Sequence, residues 1–138
     1  MSRWLFKQEP SCYSFADLER DGTTIWDGVS NALARQNLRQ TKPGDRVFYY
    51  HTGKEKAIVG EMKIVSAPTS DPNSDDPKAV VVKVEAVRRL KNPVPLSAIK
   101  ADKSLAKWDL VRMSRLSVMA VTEDQWNRVL ELSKIEEK

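Results

Sequence analysis

The spacing of apolar and polar positions changes several times along the chain, and each change predicts an element. Residues 3–7 are aromatic and apolar and read as a first strand. Glu9-Pro10-Ser11 ends it, because proline lacks the ladder N–H and disfavours a helical residue before it. Ser14, with Asp17 three residues on, predicts the capped start of a short helix whose apolar side carries Phe15 and Leu18. Asp21-Gly22 is a turn. Residues 32–39 predict a second helix, with Leu33 and Leu38 pointing inward and Arg35 and Arg39, four apart, on another face.

Lys42-Pro43-Gly44-Asp45 places proline and glycine at the centre of a type II turn, directly before a β-prone run over residues 46–51. Residues 57–65 read as a strand with two partly apolar faces, as in a sheet covered on both sides or closing into a barrel. Gly60 in its middle predicts a bend or a close backbone approach. Residues 67–78, rich in Pro, Ser and Asp, predict a mobile surface loop in which Asp71, Asp75 and Asp76 are solvated. Residues 79–88 form the clearest strand, and Asn92-Pro93-Val94-Pro95 reads as a turn. Short helical turns are expected over residues 96–107 and a brief strand at 116–118. Thr122 and Gln125 form a capping box that opens a last helix, with Trp126, Val129 and Leu130 inward and fraying from Ile135. The pattern has no βαβ rhythm, repeat or linker. It predicts one α+β domain over residues 1–138, a barrel-like sheet of about five or six strands flanked by short helices.

Composition narrows the function classes. A length of 138 residues, 41% hydrophobic and 30% charged, suits a globular domain with its own core. One Cys and one His exclude an internal disulfide and the usual Cys/His zinc spacings, so no metal or cofactor is expected. No apolar run reaches membrane-span length, and residues 1–7 lack a signal-peptide core, which predicts a cytoplasmic protein. The net charge of +4 is mild, but residues 86–116 hold eight Lys/Arg against two acids. That stretch is either a phosphate-facing surface or a solvated charge-rich segment.

Catalytic constellations are weak. Cys12 and His51 stand in no nucleophile-elbow or cysteine-protease context, and the five glycines are scattered singly, with no phosphate loop among them. The aromatics carry more. Trp126 and Trp4 read as core, and Trp108 as either a helix anchor or a surface stacker. Trp26 is followed at once by Asp27-Gly28, a bend that could leave one ring face open, or it is an ordinary core tryptophan. Residues 26–31 combine an aromatic, a carboxylate, a Gly-permitted bend and the amide of Asn31, the parts of a flat-ligand pocket. Tyr50-His51-Thr52, where a strand meets a loop, is either a cavity wall or plain strand packing.

Several motifs then follow one another in order: Trp4-Leu5-Phe6-Lys7-Gln8-Glu9-Pro10, Trp26-Asp27-Gly28-Val29-Ser30-Asn31, Ala34-Arg35-Gln36-Asn37-Leu38-Arg39, Lys42-Pro43-Gly44-Asp45 and Tyr49-Tyr50-His51-Thr52. Pro95-Leu96-Ser97-Ala98-Ile99-Lys100 and Leu110-Val111-Arg112-Met113-Ser114-Arg115-Leu116-Ser117-Val118 come later, with Val121-Thr122 and Trp126 behind. Together they resemble the EVE domain, a PUA-like family with many small stand-alone bacterial members, over nearly the whole chain. Gln8 and Ser30 stand where Ser and Arg are expected, Thr52 where Ser is commoner, and Gln36 replaces an expected Asn. No Trp precedes the strand that begins at Val80.

The resemblance implies a curved sheet closing toward a barrel, related to the YTH readers of methyladenine. It also implies a non-enzymatic reader that holds a flipped modified base, a modified cytosine in DNA, beside a basic surface. A flipped base costs a few kcal/mol to unstack, and stacking on an aromatic returns ~1–3 kcal/mol without selecting a base. Selection then falls to Asp27, which can accept from an exocyclic amine, and to Asn31. The expected pocket comprises Trp26, Asp27, Gly28, Val29 and Asn31, with Tyr50, His51 and Thr52 as another wall and Lys7 and Glu9 as a polar corner. Arg35, Arg39, Arg112, Arg115 and Ser117 are the expected phosphate contacts. An RNA reader and a small nucleotide-processing enzyme using His51 are the alternatives.

Overall fold

The computed structural model describes residues 2–134, so the fraying expected from Ile135 lies outside the described residues. The chain begins β1 (Arg3–Gln8), α1 (Phe15–Asp21), β2 (Thr23–Trp26), α2 (Ala32–Arg39), β3 (Arg46–His51) and β4 (Ala57–Ile64). It continues β5 (Thr69–Ser70), β6 (Val80–Pro95), α3 (Leu96–Ala101), a 3-10 turn (Lys103–Leu105), α4 (Asp109–Arg112), β7 (Val118–Val121) and α5 (Glu123–Lys134). Among the described residues the strands form one seven-stranded sheet in the order β2-β6-β4-β3-β1-β7, with β5 also on β6. β1 and β3 run parallel and every other pair is antiparallel.

The sheet curls. β1 and β2 are four ladder steps apart, ~19 Å in a flat sheet at ~4.8 Å per strand. Yet the rings of Phe6 on β1 and Trp26 on β2 lie 5.4 Å apart. Register shifts at Tyr49/Tyr50, Ile58/Gly60 and Glu61/Met62 supply the bends. β2 and β7 remain unpaired edges, so the sheet closes toward a barrel without sealing. Gly60 is the close approach that its sequence position predicts: a Cβ there would lie 2.4 Å from Cζ of Phe15, which fills the inside of the curl.

The opposite face is covered by α5, whose Trp126 stacks on Phe48 at 3.7 Å. Trp4 is buried and donates from Nε1 to the buried Asp45 carboxylate at 2.9 Å. Asp45 also accepts from the Lys42 N–H at 2.9 Å, closing the Pro43-Gly44 turn, and Gly44 holds the φ of 95° that a type II turn requires. Trp108, open between two readings in the sequence, is an anchor: it is buried and donates to the Ala120 carbonyl at 3.3 Å. No helix among the described residues is long and apolar enough to cross a membrane.

The fold class is the expected α+β, PUA-like one, with local corrections. Seven strands stand where five or six were expected, because β2 and β5 are short and exposed and form only by pairing with β6. β5 lies within the segment predicted to be a mobile loop. The expected turn at residues 92–95 is instead the end of β6. Beyond Arg88 that strand pairs only with β4, so its prolines sit on an edge that needs no N–H donor. In α2 it is Ala34, not Leu33, that joins Leu38 in the core; Leu33 is 38% exposed. The last strand runs Val118–Val121 instead of over 116–118.

Candidate functional site

Four segments converge on a cleft of about 370 Å3: the end of β1 and the residue after it (Lys7, Gln8, Glu9), residues 26–31, Thr52 after β3, and Ser114, Arg115 and Ser117 before β7. This volume lies in the ~300–1,000 Å3 range of small-ligand sites. Trp26 ends β2, and residues 27–30 run without regular structure into α2. Gly28 makes that passage with φ 73°, a left-handed backbone that side chains with a Cβ avoid. Asn31 then caps α2, its Oδ1 accepting from the Ala34 N–H at 3.0 Å. The cap fixes the amide so that Nδ2, a donor, is the end left for a ligand.

Arg35 locks the loop from behind. Its Nε donates to the Val29 carbonyl at 2.6 Å and a terminal nitrogen donates to Asp76 at 2.8 Å. The Asp76 carboxyl is held below the usual carboxylate range, first by the Lys78 backbone N–H and then by Arg35. So Asp76 is exposed, as the sequence predicts, but it is also ion-paired, and Arg35 is a structural clamp with its guanidinium already engaged.

Trp26 is buried at 4% exposure, between Phe6 at 5.4 Å and Tyr49 at 5.3 Å. It offers the cleft a strip of ring, not the open face that the bend suggests. Asp27, by contrast, is exposed, and among the described residues no hydrogen bond or ion pair uses its carboxylate. On the other wall Lys7 donates from Nζ to the Ser114 carbonyl at 3.0 Å and lies 5.5 Å from the Tyr50 ring centre. Burial pushes the Lys7 ammonium below the ordinary lysine range.

The structure therefore gathers Lys7, Glu9, Trp26, Asp27, Gly28, Val29, Asn31, Thr52, Arg115 and Ser117 in one cleft. Tyr50 and His51 are not on it. Tyr50 is buried on the far side of Lys7, and burial pushes its hydroxyl up to about 12. His51 faces α1, where Nε2 accepts from the Phe15 N–H at 3.0 Å and Nδ1 donates to Glu55 at 2.8 Å. With both ring nitrogens engaged, no Cys12–His51 pair forms. Arg39 lies apart, donating to the Lys78 carbonyl at 2.5 Å, and Arg112 pairs with Asp109 at 3.7 Å in a depression beyond Asn31. Ser114 lies in one of the quoted motifs but acts through its backbone carbonyl, which orients Lys7 and which no side-chain pattern marks.

A curled, edge-open sheet with a polar-rimmed cleft at the end of β1 is the architecture of a PUA-like domain. The EVE domain family matches residues 2–132, and the chain belongs to that family. Human thymocyte nuclear protein 1 is 36% identical over an alignment covering 98% of this chain and 75% of the relative. The solution structure of Rpa0253 from Rhodopseudomonas palustris superposes with a TM-score of 0.92 at 37% identity, covering 100% of this chain and 97% of that one. Human THYN1 protein in complex with 5-methylcytosine-containing DNA superposes with a TM-score of 0.90 at 34% identity, covering 99% of this chain and 100% of that one.

Proposed function

We propose that the chain is a non-enzymatic DNA reader that draws a modified cytosine out of the base stack and holds it in the cleft. The observation that carries this reading is the pairing of an unpartnered acceptor, Asp27, with the cap-fixed donor amide of Asn31 on one rim. An acceptor for an exocyclic amine and a donor for a ring acceptor are the two contacts that a cytosine edge calls for. The likeness to human THYN1, solved with 5-methylcytosine-containing DNA, supports the same reading. Because Trp26 exposes so little surface, polar contacts carry more of the selection than stacking does.

Titration with matched oligonucleotides, DNA and RNA, plain and carrying methylated or hydroxymethylated cytosine or methyladenine, tests the reading at fixed salt. Tightest binding to DNA with a modified cytosine is the expected result. Equal affinities would contradict it, tighter RNA binding would favour an RNA reader, and conversion of the strand to product would mean an enzyme.

A further inference from the structure

Against the far wall of the base cleft lies a second cleft of about 220 Å3, which shares Lys7, Thr52 and Ser114 with it. Its floor is apolar, with Tyr50 and Leu96, and its rim carries Lys7, Lys56 and Lys100 with no carboxylate in the lining. Among the described residues no ion pair uses any of these three lysines, whereas Arg46, Arg88 and Arg89 are each held by a glutamate.

Two further observations set this cleft apart from an ordinary charged surface. Lys7 is half-buried, and desolvation makes its ammonium easier to deprotonate than an exposed lysine. Lys56 is the one non-glycine residue among those described with a positive φ, 45°. Its carbonyl accepts from the Leu96 N–H at 2.8 Å, so α3 holds the strained backbone in place. Strained residues of this kind cluster at ligand sites, where the surrounding structure over-determines them. Three lysines thus line one hollow, and an anion placed there would meet cationic partners with no carboxylate to compete.

We propose that the Lys7–Lys56–Lys100 cleft seats a backbone phosphodiester of the strand whose base enters the neighbouring pocket. The proposal rests on the nucleic-acid-binding part of the function above. A phosphodiester has the right chemistry: its oxygens accept from lysines acting as point charges and need no planar fork. The shared wall lets one strand place a base and a phosphate on either side of Lys7.

The test uses the full chain with Lys56→Gly, Lys100→Ala and both together, titrated over a salt series with methylcytosine and plain DNA. The expected result is a salt slope lower by about one in the double variant, the share of a single phosphate. Affinity should fall equally for both DNAs and their ratio should stay unchanged. Lys56→Gly should hold or raise the thermal midpoint, since glycine accepts the positive φ, so weaker binding cannot be put down to unfolding. An unchanged slope overturns the proposal. So does saturable binding of inorganic phosphate, at constant ionic strength, to a cleft whose lysines leave the DNA slope untouched. A reduced slope together with no base preference in the unaltered chain would sink the reader function and leave the phosphate subsite standing.

Discussion

The rings of Phe6 and Trp26, on strands four ladder steps apart, meet at 5.4 Å. That contact closes the sheet over Phe15 and Tyr49 and leaves residues 27–31 to emerge at the rim. Trp26 is therefore first a keystone of the curl and only second a cleft wall.

Trp26→Ala should accordingly cost ~3–5 kcal/mol of stability, the range for deleting a buried aromatic, and Trp26→Phe much less. Urea denaturation of both variants measures this. Any loss of DNA binding in the alanine variant then has to be judged against the fraction still folded.

Gly60→Ala should destabilise by ~1–3 kcal/mol, as over-packing does. The new methyl meets the fully buried Phe15 ring at 2.4 to 2.6 Å, where a rigid aromatic cannot swing aside. The shift in denaturation midpoint at constant m-value reports it.

Tyr50 gives the fold an alkaline limit. Its hydroxyl ionises near 10 when unfolded and only at about 12 when folded, so above pH 10 the unfolded chain loses a proton that the native one keeps. The Tyr50 contribution to stability should be level below pH 10 and fall as pH climbs through that window, with Tyr49 acting in the same direction. Tyr50→Phe should flatten the decline in a pH series of denaturation curves, because any packing change shifts stability equally at every pH and leaves the slope untouched.

Arg35→Ala should loosen the rim more than it weakens the whole fold. It removes both the Val29 anchor and the tie to Asp76. Amide hydrogen exchange should accelerate over residues 28–31, with β3 and β4 unchanged. Equal acceleration everywhere would mean that Arg35 serves global stability instead.

Much of the fold was legible because its signals are local. The Ser14–Asp17 box, the Pro43-Gly44 turn and the limits of α2 each lie within a few residues, and all appear as read. β2 was not legible: it is four residues long, mostly exposed, and depends on partners near residue 84. Leu33 misled by size. Ala34 and Leu38, four apart, share the buried side of the helix, and the larger leucine one position earlier points off it.

The site divides in the same way. Trp26 to Val29, Asn31, Lys7, Glu9 and Thr52, all singled out by the order of motifs, line one cleft. Strand alternation turns His51 inward toward Phe15, whereas Tyr50 shares the side of Thr52 but faces the neighbouring hollow beyond Lys7. Arg35 looked free because its partner, Asp76, lies 41 residues away in a segment with no periodic pattern.

The central claim stands on Asp27, which is exposed and unpartnered, so its substitution should leave the fold intact. The decisive measurement is the ratio of affinities for methylcytosine DNA and for matched DNA with thymine, which keeps the methyl but lacks the exocyclic amine, in the unaltered chain and in Asp27→Asn, at one salt concentration. The account predicts a clear preference in the unaltered chain that falls by about tenfold or more in Asp27→Asn, from the ~1–3 kcal/mol carried by a good base-edge contact. A preference that survives Asp27→Asn undiminished would contradict it.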